Sequence, residues 1–309
     1  MTLKPTIVPG PERDLVGYGP RLPRVTWPDD AYVALNIVVN YEEGSEYSFP
    51  AGDGENEHHG GEEHYPFPDD KRNLAQESIY EYGSRAGIWR LLRLFDEYQV
   101  NATIFACAVA FEQNPEVARI AKAAGHDLMS HGWRWSEHWR MTREEEQEQM
   151  RLAIESFKET WGERPLGWYC RYGPSINTRE LVVAEGGFVY DSDAYNDDFP
   201  YITQVDGNDH LVIPYSLTYN DLQGTLSPVD FSAYLRRAID ELWREGEAGY
   251  PKMMSVGLHP RIVGQAGRTW ALREFIEHTQ KLGHVWFARR IDIARWWLDH
   301  HEEFLNGND

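Results

Sequence analysis

Short apolar runs alternating with amphipathic stretches constrain this chain more than any other feature. Tyr32 to Val39 is the first run, and it reads as a buried strand. Asn101–Val109, Asp127–Ser130, Leu166–Cys170, Phe188–Tyr190, His210–Tyr215, Met253–Leu258 and Val285–Phe287 repeat the pattern. Helical periodicity fills the intervals. Ile88, Leu91, Leu92 and Phe95 share a face, and Asn114-Pro115 opens a helix with Val117, Ile120, Ala121 and Ala124 inward. Thr142 and Glu145 form a capping box ahead of Met150, Ile154, Phe157 and Trp161. A short helix holds Leu181 and Val182. Asp230 is the expected cap of the next, and further helices run over about 270–280 and 291–300. Alternating β and α with short connections gives a parallel sheet covered by helices. Seven or eight parallel strands without a nucleotide-binding glycine pattern point to an α/β fold built as a distorted (β/α) barrel, one catalytic domain over residues 1–309. Residues 1–30, rich in Pro, Gly and Arg, read as an irregular arm, and residues 45–72 as a long polar insertion.

The formal charge of −20 argues against nucleic acid and anionic membrane as partners, since both select basic surfaces. No apolar run is long enough to span a bilayer, and Met1–Gly19 lacks a basic segment followed by an apolar core. The expectation is a cytoplasmic protein. Cys107 and Cys170 lie in expected strands and read as reduced core thiols.

Barrel enzymes carry their chemistry at the C-terminal ends of the strands. Those ends are Glu42/Glu43, His131, Arg171, Asp191/Asp193, Tyr215 and His259. Carboxylates, imidazoles and a guanidinium on one rim suit amide hydrolysis. Glu42 or Glu43 would take a proton from water, Arg171 would steady the oxyanion, and His259 would protonate the leaving nitrogen. His131 and Asp191 would position these groups or the substrate, with Tyr215 on the same rim. Trp133 and Trp135 would stack on a flat ring or fill the barrel mouth. The insertion carries Glu55, Glu57, His58, His59, Glu62, Glu63 and His64, without regular metal-ligand spacing.

Asn40-Tyr41-Glu42-Glu43-Gly44, Ser130-His131-Gly132-Trp133-Arg134-Trp135, Arg171–Pro174 and Leu258-His259 occur in the order of the motifs of the polysaccharide deacetylase superfamily, which the chain resembles from about residue 12 to 300. The family's metal-binding Asp corresponds to Glu43, and its second metal His to Trp135. Zinc would therefore need Glu43, His131 and His138 as a replacement set. The chain is most similar to a metal-independent allantoinase branch, through Arg13–Gly19, Glu163–Tyr169, Glu185–Phe188, Tyr190–Asp193, Leu211–Tyr215, Gly257–His259 and Trp286–Arg295. Cys170–Ser175 and the His-rich insertion depart from that branch. The resemblance implies a homo-oligomer without metal or other cofactor that opens a small cyclic amide or ureide. The alternatives are a metal-dependent sugar or peptidoglycan N-deacetylase, and an inactive carbohydrate or ureide binder.

Overall fold

The computed structural model describes residues 10–61, 66–222 and 227–306. Its centre is β1 (Val33–Tyr41), buried along its whole length. A helical run follows the insertion: α1 (Leu74–Tyr82), a single wide turn over Gly83–Gly87, and α2 (Ile88–Tyr98). Then come β2 (Thr103–Ala106), α3 (Ala108–Gln113), α4 (Pro115–Ala123), β3 (Asp127–Ser130), α5 (Arg143–Thr160), β4 (Gly167–Trp168), α6 (Thr178–Glu185) and β5 (Tyr190–Asp191). The chain closes with β6 (Tyr201–Val205), β7 (Asn208–Val212), α7 (Pro228–Glu247), β8 (Lys252–Leu258), α8 (Ala266–Leu282), β9 (Val285–Phe287) and α9 (Arg290–Asn306).

Among the described residues these strands make one nine-stranded sheet in the order β6-β7-β5-β4-β3-β2-β1-β8, with β9 added to β1. All neighbours pair in parallel except β6 with β7. The chain beyond β7 returns to the opposite end of the sheet, where Asn220 bridges Gly257 of β8. The sheet is thereby curled into the expected distorted barrel.

The two faces of β1 serve different cores, because successive side chains point to opposite sides of a strand. Val33, Leu35, Ile37, Val39 and Tyr41 join the cluster shared with the outer helices, whereas Ala34 and Val38 join the cluster inside the curl. Asn36 and Asn40 share the inner parity. Asn36 helps satisfy a guanidinium buried within the curl. Arg290 donates to Ser192 Oγ at 2.7 Å, Asn36 Oδ1 at 3.0 Å, Ser255 Oγ at 2.8 Å and the carbonyls of Ile213 and Pro214 at 3.0 and 2.7 Å. All of its partners are neutral, and burial brings it down to about 10. It ties β1, β8 and the chain beyond β5 and β7 into one interior.

Several boundaries differ from the sequence expectation for definable reasons. β2 stops at Ala106, and the remaining apolar run becomes α3. A short Ala-rich apolar stretch fits either element by periodicity, and alanine favours helix. Helix α7 starts from Ser227, whose hydroxyl accepts from the Asp230 N–H at 3.2 Å; Pro228 is its first residue, so Asp230 is inside the helix and not its cap. Asn114 makes no side-chain cap, and its amide donates to Ser84 Oγ at 2.9 Å. The β6–β7 hairpin turns on Asp206 and Gly207, both at positive φ. Sequence reasoning missed β6, although Asp-Gly is a pair such a turn favours. Cys107 and Cys170 are buried and unpaired, as expected. No helix among the described residues is long and apolar enough to cross a membrane.

Candidate active site

Glu42 directly follows β1 and keeps the inner parity of Asn36 and Asn40. Glu43 has the opposite parity and turns toward the helical layer. Gly83, in the wide turn after α1, lies so close that a β-carbon there would collide with the Glu43 carboxylate. Adjacent in sequence, the two carboxylates therefore have different surroundings.

Glu42 is the point of convergence. Its Oε1 lies 3.1 Å from His131 Nε2 and 3.5 Å from His259 Nε2, and its Oε2 accepts from Arg261 Nη2 at 2.7 Å. His131 follows β3 directly, and His259 follows β8 directly. His131 Nδ1 sits 3.2 Å from the Tyr169 carbonyl. Asp221 grips His259 twice, with Oδ1 at 2.6 Å from Nδ1 and Oδ2 accepting from the backbone N–H at 2.8 Å. Glu42, His131 and His259 are 1%, 3% and 2% exposed, so the site is closed to solvent.

Charge in this enclosure is unevenly distributed. Burial works to raise the Glu42 carboxyl, but the Arg261 guanidinium, His259 and the hydrogen bond from His131 outweigh it and hold Glu42 well below the usual carboxylate range. Burial pushes Glu43 up to about 7; Arg261 opposes this and the neighbouring Glu42 charge adds to it. Burial would lower His259, yet Glu42 and Asp221 carry it up to about 9. Near neutrality the cluster holds an ionised Glu42 facing an imidazolium. That is a carboxylate base opposed to a proton donor.

Arg171 is elsewhere in the network. It lies against Glu57 of the insertion, with Nη2 to Oε1 and Nη1 to Oε2 both 2.7 Å, and donates from Nη1 to the Trp135 carbonyl at 2.7 Å. Its guanidinium stacks 3.8 Å above the Trp135 ring. Trp135 also flanks Arg261, 5.3 Å from the ring centroid, and so fills the space between two buried arginines. Trp133 is only partly buried, with its indole N–H 3.4 Å from Glu112 of α3. The Tyr215 hydroxyl accepts from Asn40 and Asn220 at 3.2 and 3.1 Å and closes the curl beneath the site. Asp191 is clamped by Arg179 at 2.7 and 3.0 Å and by His210 at 3.0 Å. Burial opposes its ionisation, but His210 and Arg179 hold it down to about 2. Asp193 Oδ1 accepts from the Cys170 N–H at 2.8 Å. Asp191 and Asp193 thus brace the strand ends and do not join the Glu42 cluster.

Sequence reasoning missed Asp221 and Arg261. Arg261 lies two residues beyond His259, so the strand-end rule extended by one turn would have found it. Asp221 lies in a connection without periodicity and gave no signal.

The residues of the family's zinc site do not fit zinc here. Glu43 Oε2 accepts from the Glu42 N–H at 3.0 Å and Oε1 from the Arg261 N–H at 3.2 Å, with the Arg261 guanidinium beside it. His138 turns its Nδ1 to Glu146 at 3.0 Å, away from the role expected of it. Among the described residues, His138, Glu146 and Cys170 are the one trio of such side chains whose donor atoms fall within 4.8 Å of one another. Ser175 and Thr178 already donate to Glu146, so this trio reads as a hydrogen-bonded core network. In the insertion, Glu57 pairs with Arg171 and accepts from the His58 and His59 N–H groups, each at 3.0 Å. Glu62, Glu63 and His64 lie outside the described residues.

The polysaccharide deacetylase family pattern matches residues 77–190. A Schizosaccharomyces pombe protein assigned to the polysaccharide deacetylases is 36% identical over 94% of this chain and 98% of its own. The chain belongs to the polysaccharide deacetylase family. Among solved structures, a Pseudomonas aeruginosa PAO1 protein assigned to the same family is 47% identical, with a TM-score of 0.88. Puue allantoinase is also 47% identical, with a TM-score of 0.89. Each comparison covers 94% of this chain and 98% of the other. Within this family of hydrolases, Glu42 and His259 face each other at the ends of β1 and β8, and Glu43 is held by hydrogen bonds from the Glu42 and Arg261 N–H groups.

Proposed function

We propose that the protein is a hydrolase that opens the C–N bond of a small cyclic amide or ureide of the allantoin type. The observation that carries this reading is enclosure. Glu42, His259 and Arg261 are each 1–2% exposed beneath residues 45–61. A sealed site accepts a small ring that the protein can close over; a polysaccharide needs an open groove for the units on either side. Puue allantoinase, at 47% identity over nearly its full length, supports the same choice.

In this reaction Glu42 takes the proton from the attacking water, and the new C–O bond turns the ring carbonyl into an oxyanion. The Arg261 guanidinium stabilises that charge, and His131 holds Glu42 in place. His259 gives its Nε2 proton to the departing ring nitrogen, and Asp221 holds the imidazole in place. Arg171, committed to Glu57, has no part in the chemistry.

The second reading is removal of an acetyl group from an amino sugar, and the names carried by the S. pombe and P. aeruginosa relatives favour it. Hydrolysis of allantoin, hydantoin and succinimide by chelator-treated protein separates the two. We expect ring opening undiminished by the chelator. Acetate release from acetylated sugars, together with no turnover of any ring, would overturn the proposal.

A further inference from the structure

Arg261 belongs to two structures at once. Its Nη2 donates to Glu42, and its Nε donates to the carbonyl of Gly60, in the segment covering the site, at 2.6 Å. Gly60 is at φ +74°, and a β-carbon there would stand 2.6 Å from Arg261 Nη2, so only glycine lets the loop approach so closely. The guanidinium lies 4.4 Å above the Tyr80 ring, whose hydroxyl donates to the next loop carbonyl, His59 O, at 3.0 Å. Arg261 Nη1 is buried and has no hydrogen-bond partner. A guanidinium is a rigid fork, so fixing Nε fixes the direction in which both Nη groups point.

The loop begins beside Glu42, where the Ser45 N–H donates to the Glu42 carbonyl at 2.9 Å, and its outer part is tied to other elements. Glu57 is paired with Arg171, Asp53 takes a two-point grip from Arg134 at 2.6 and 2.7 Å, and the Tyr47 hydroxyl donates to Glu137 at 2.9 Å. Substrate cannot reach Glu42 while these ties hold, because the site is closed. The loop must lift and reseat in each turnover. When it lifts, Arg261 loses the carbonyl that orients it.

We propose that Arg261, besides facing the oxyanion, couples seating of loop 45–61 to the alignment of Glu42, so that hydrolysis proceeds only when the loop has closed over the ring. On closure the Nη1 group, which has no hydrogen bond and lies 3.7 Å from Glu43 Oε1, meets an oxygen of the enclosed carbonyl compound, which suits a ring rich in carbonyl groups and disfavours an apolar one. The inference rests on the ring-hydrolase reading for its substrate, but the loop can be followed without any substrate.

The test uses the full chain with Glu57→Gln, Arg261→Lys and the double variant. Hydrogen exchange over residues 45–61 reports seating, and kcat and KM for the ring turned over by the wild type report alignment. We expect Glu57→Gln to speed exchange in the loop and lower kcat about tenfold with KM moved by less than about threefold. Arg261→Lys should lower kcat at least as much, and the double variant should be no slower than Arg261→Lys alone, because the loop acts through Arg261. Asp53→Asn, which loosens the other end of the loop, replaces Glu57→Gln if that variant does not fold. A looser loop with unchanged kcat, losses that multiply in the double variant, or exchange unmoved by either loop substitution would each overturn the coupling. Failure of the wild type to open any ring would instead remove the functional reading, leaving faster loop exchange in Arg261→Lys as the check on the structural link.

Discussion

Replacing Asp221 with Asn tests the assignment of His259 as the acid more sharply than replacing the histidine. The substitution keeps the size of the side chain and removes its charge. Two unit charges about 4 Å apart attract by about 4 kcal/mol at an effective dielectric near 20. At 1.36 kcal/mol per pH unit this sets an upper bound of about 3 units. Glu42 remains in place, and the Asn carbonyl still accepts from Nδ1, so a fall of about 1–2 units is the reasonable share. His259 stands at about 9, with Glu42 and Asp221 overcoming burial. In the variant it should fall to about 7–8. The sign follows from the role. An acid works in its protonated form, so activity is complete below the pKa and is lost as pH rises through it. At about pH 8 the protonated fraction would drop from about nine-tenths to between about one-tenth and one-half, a roughly two- to tenfold loss that fades below about pH 6. Losing the second acceptor for the His259 N–H adds a pH-independent loss and leaves the limb where the charge puts it. The assay is kcat against pH for the preferred ring. A loss of equal size at every pH, with the basic limb unmoved, would refute the reasoning.

The two adjacent carboxylates should separate cleanly. Glu42→Gln should cost about 10²–10⁴ in kcat, the usual worth of a general base, whereas Glu43→Gln should keep activity within about tenfold of wild type, as measured by steady-state kinetics. Arg171→Met should leave the Glu57 carboxylate buried without its partner and cost about 3–5 kcal/mol of stability by denaturant unfolding. Arg171→Met combined with Glu57→Met should recover most of that loss, since a buried ion pair can be exchanged for apolar side chains of similar volume.

The sequence by itself determined the framework. Alternating apolar runs and amphipathic helices specified a parallel sheet, because only covered strands can be apolar on both faces. The ends of β1, β3 and β8 brought forward Glu42 or Glu43, His131 and His259 as candidates, and only the structure separates the surroundings of the two glutamates. These signals are local: each depends on which neighbours along the chain share a face. What only the tertiary structure decided is which charges meet. His259 acquires Asp221 from 38 residues away, and Glu42 acquires Arg261 from 219 residues away. Arg171 was the expected cation of the rim, yet it pairs with Glu57, 114 residues distant, because the insertion folds back over the barrel mouth. Asp191, a strand-end carboxylate like Glu42, is neutralised by Arg179 and His210 instead. Periodicity records whether a side chain is buried. Pairing among buried charges depends on distances of a few ångströms between distant segments, and only the closed curl of the sheet and the loop seated on it set those distances.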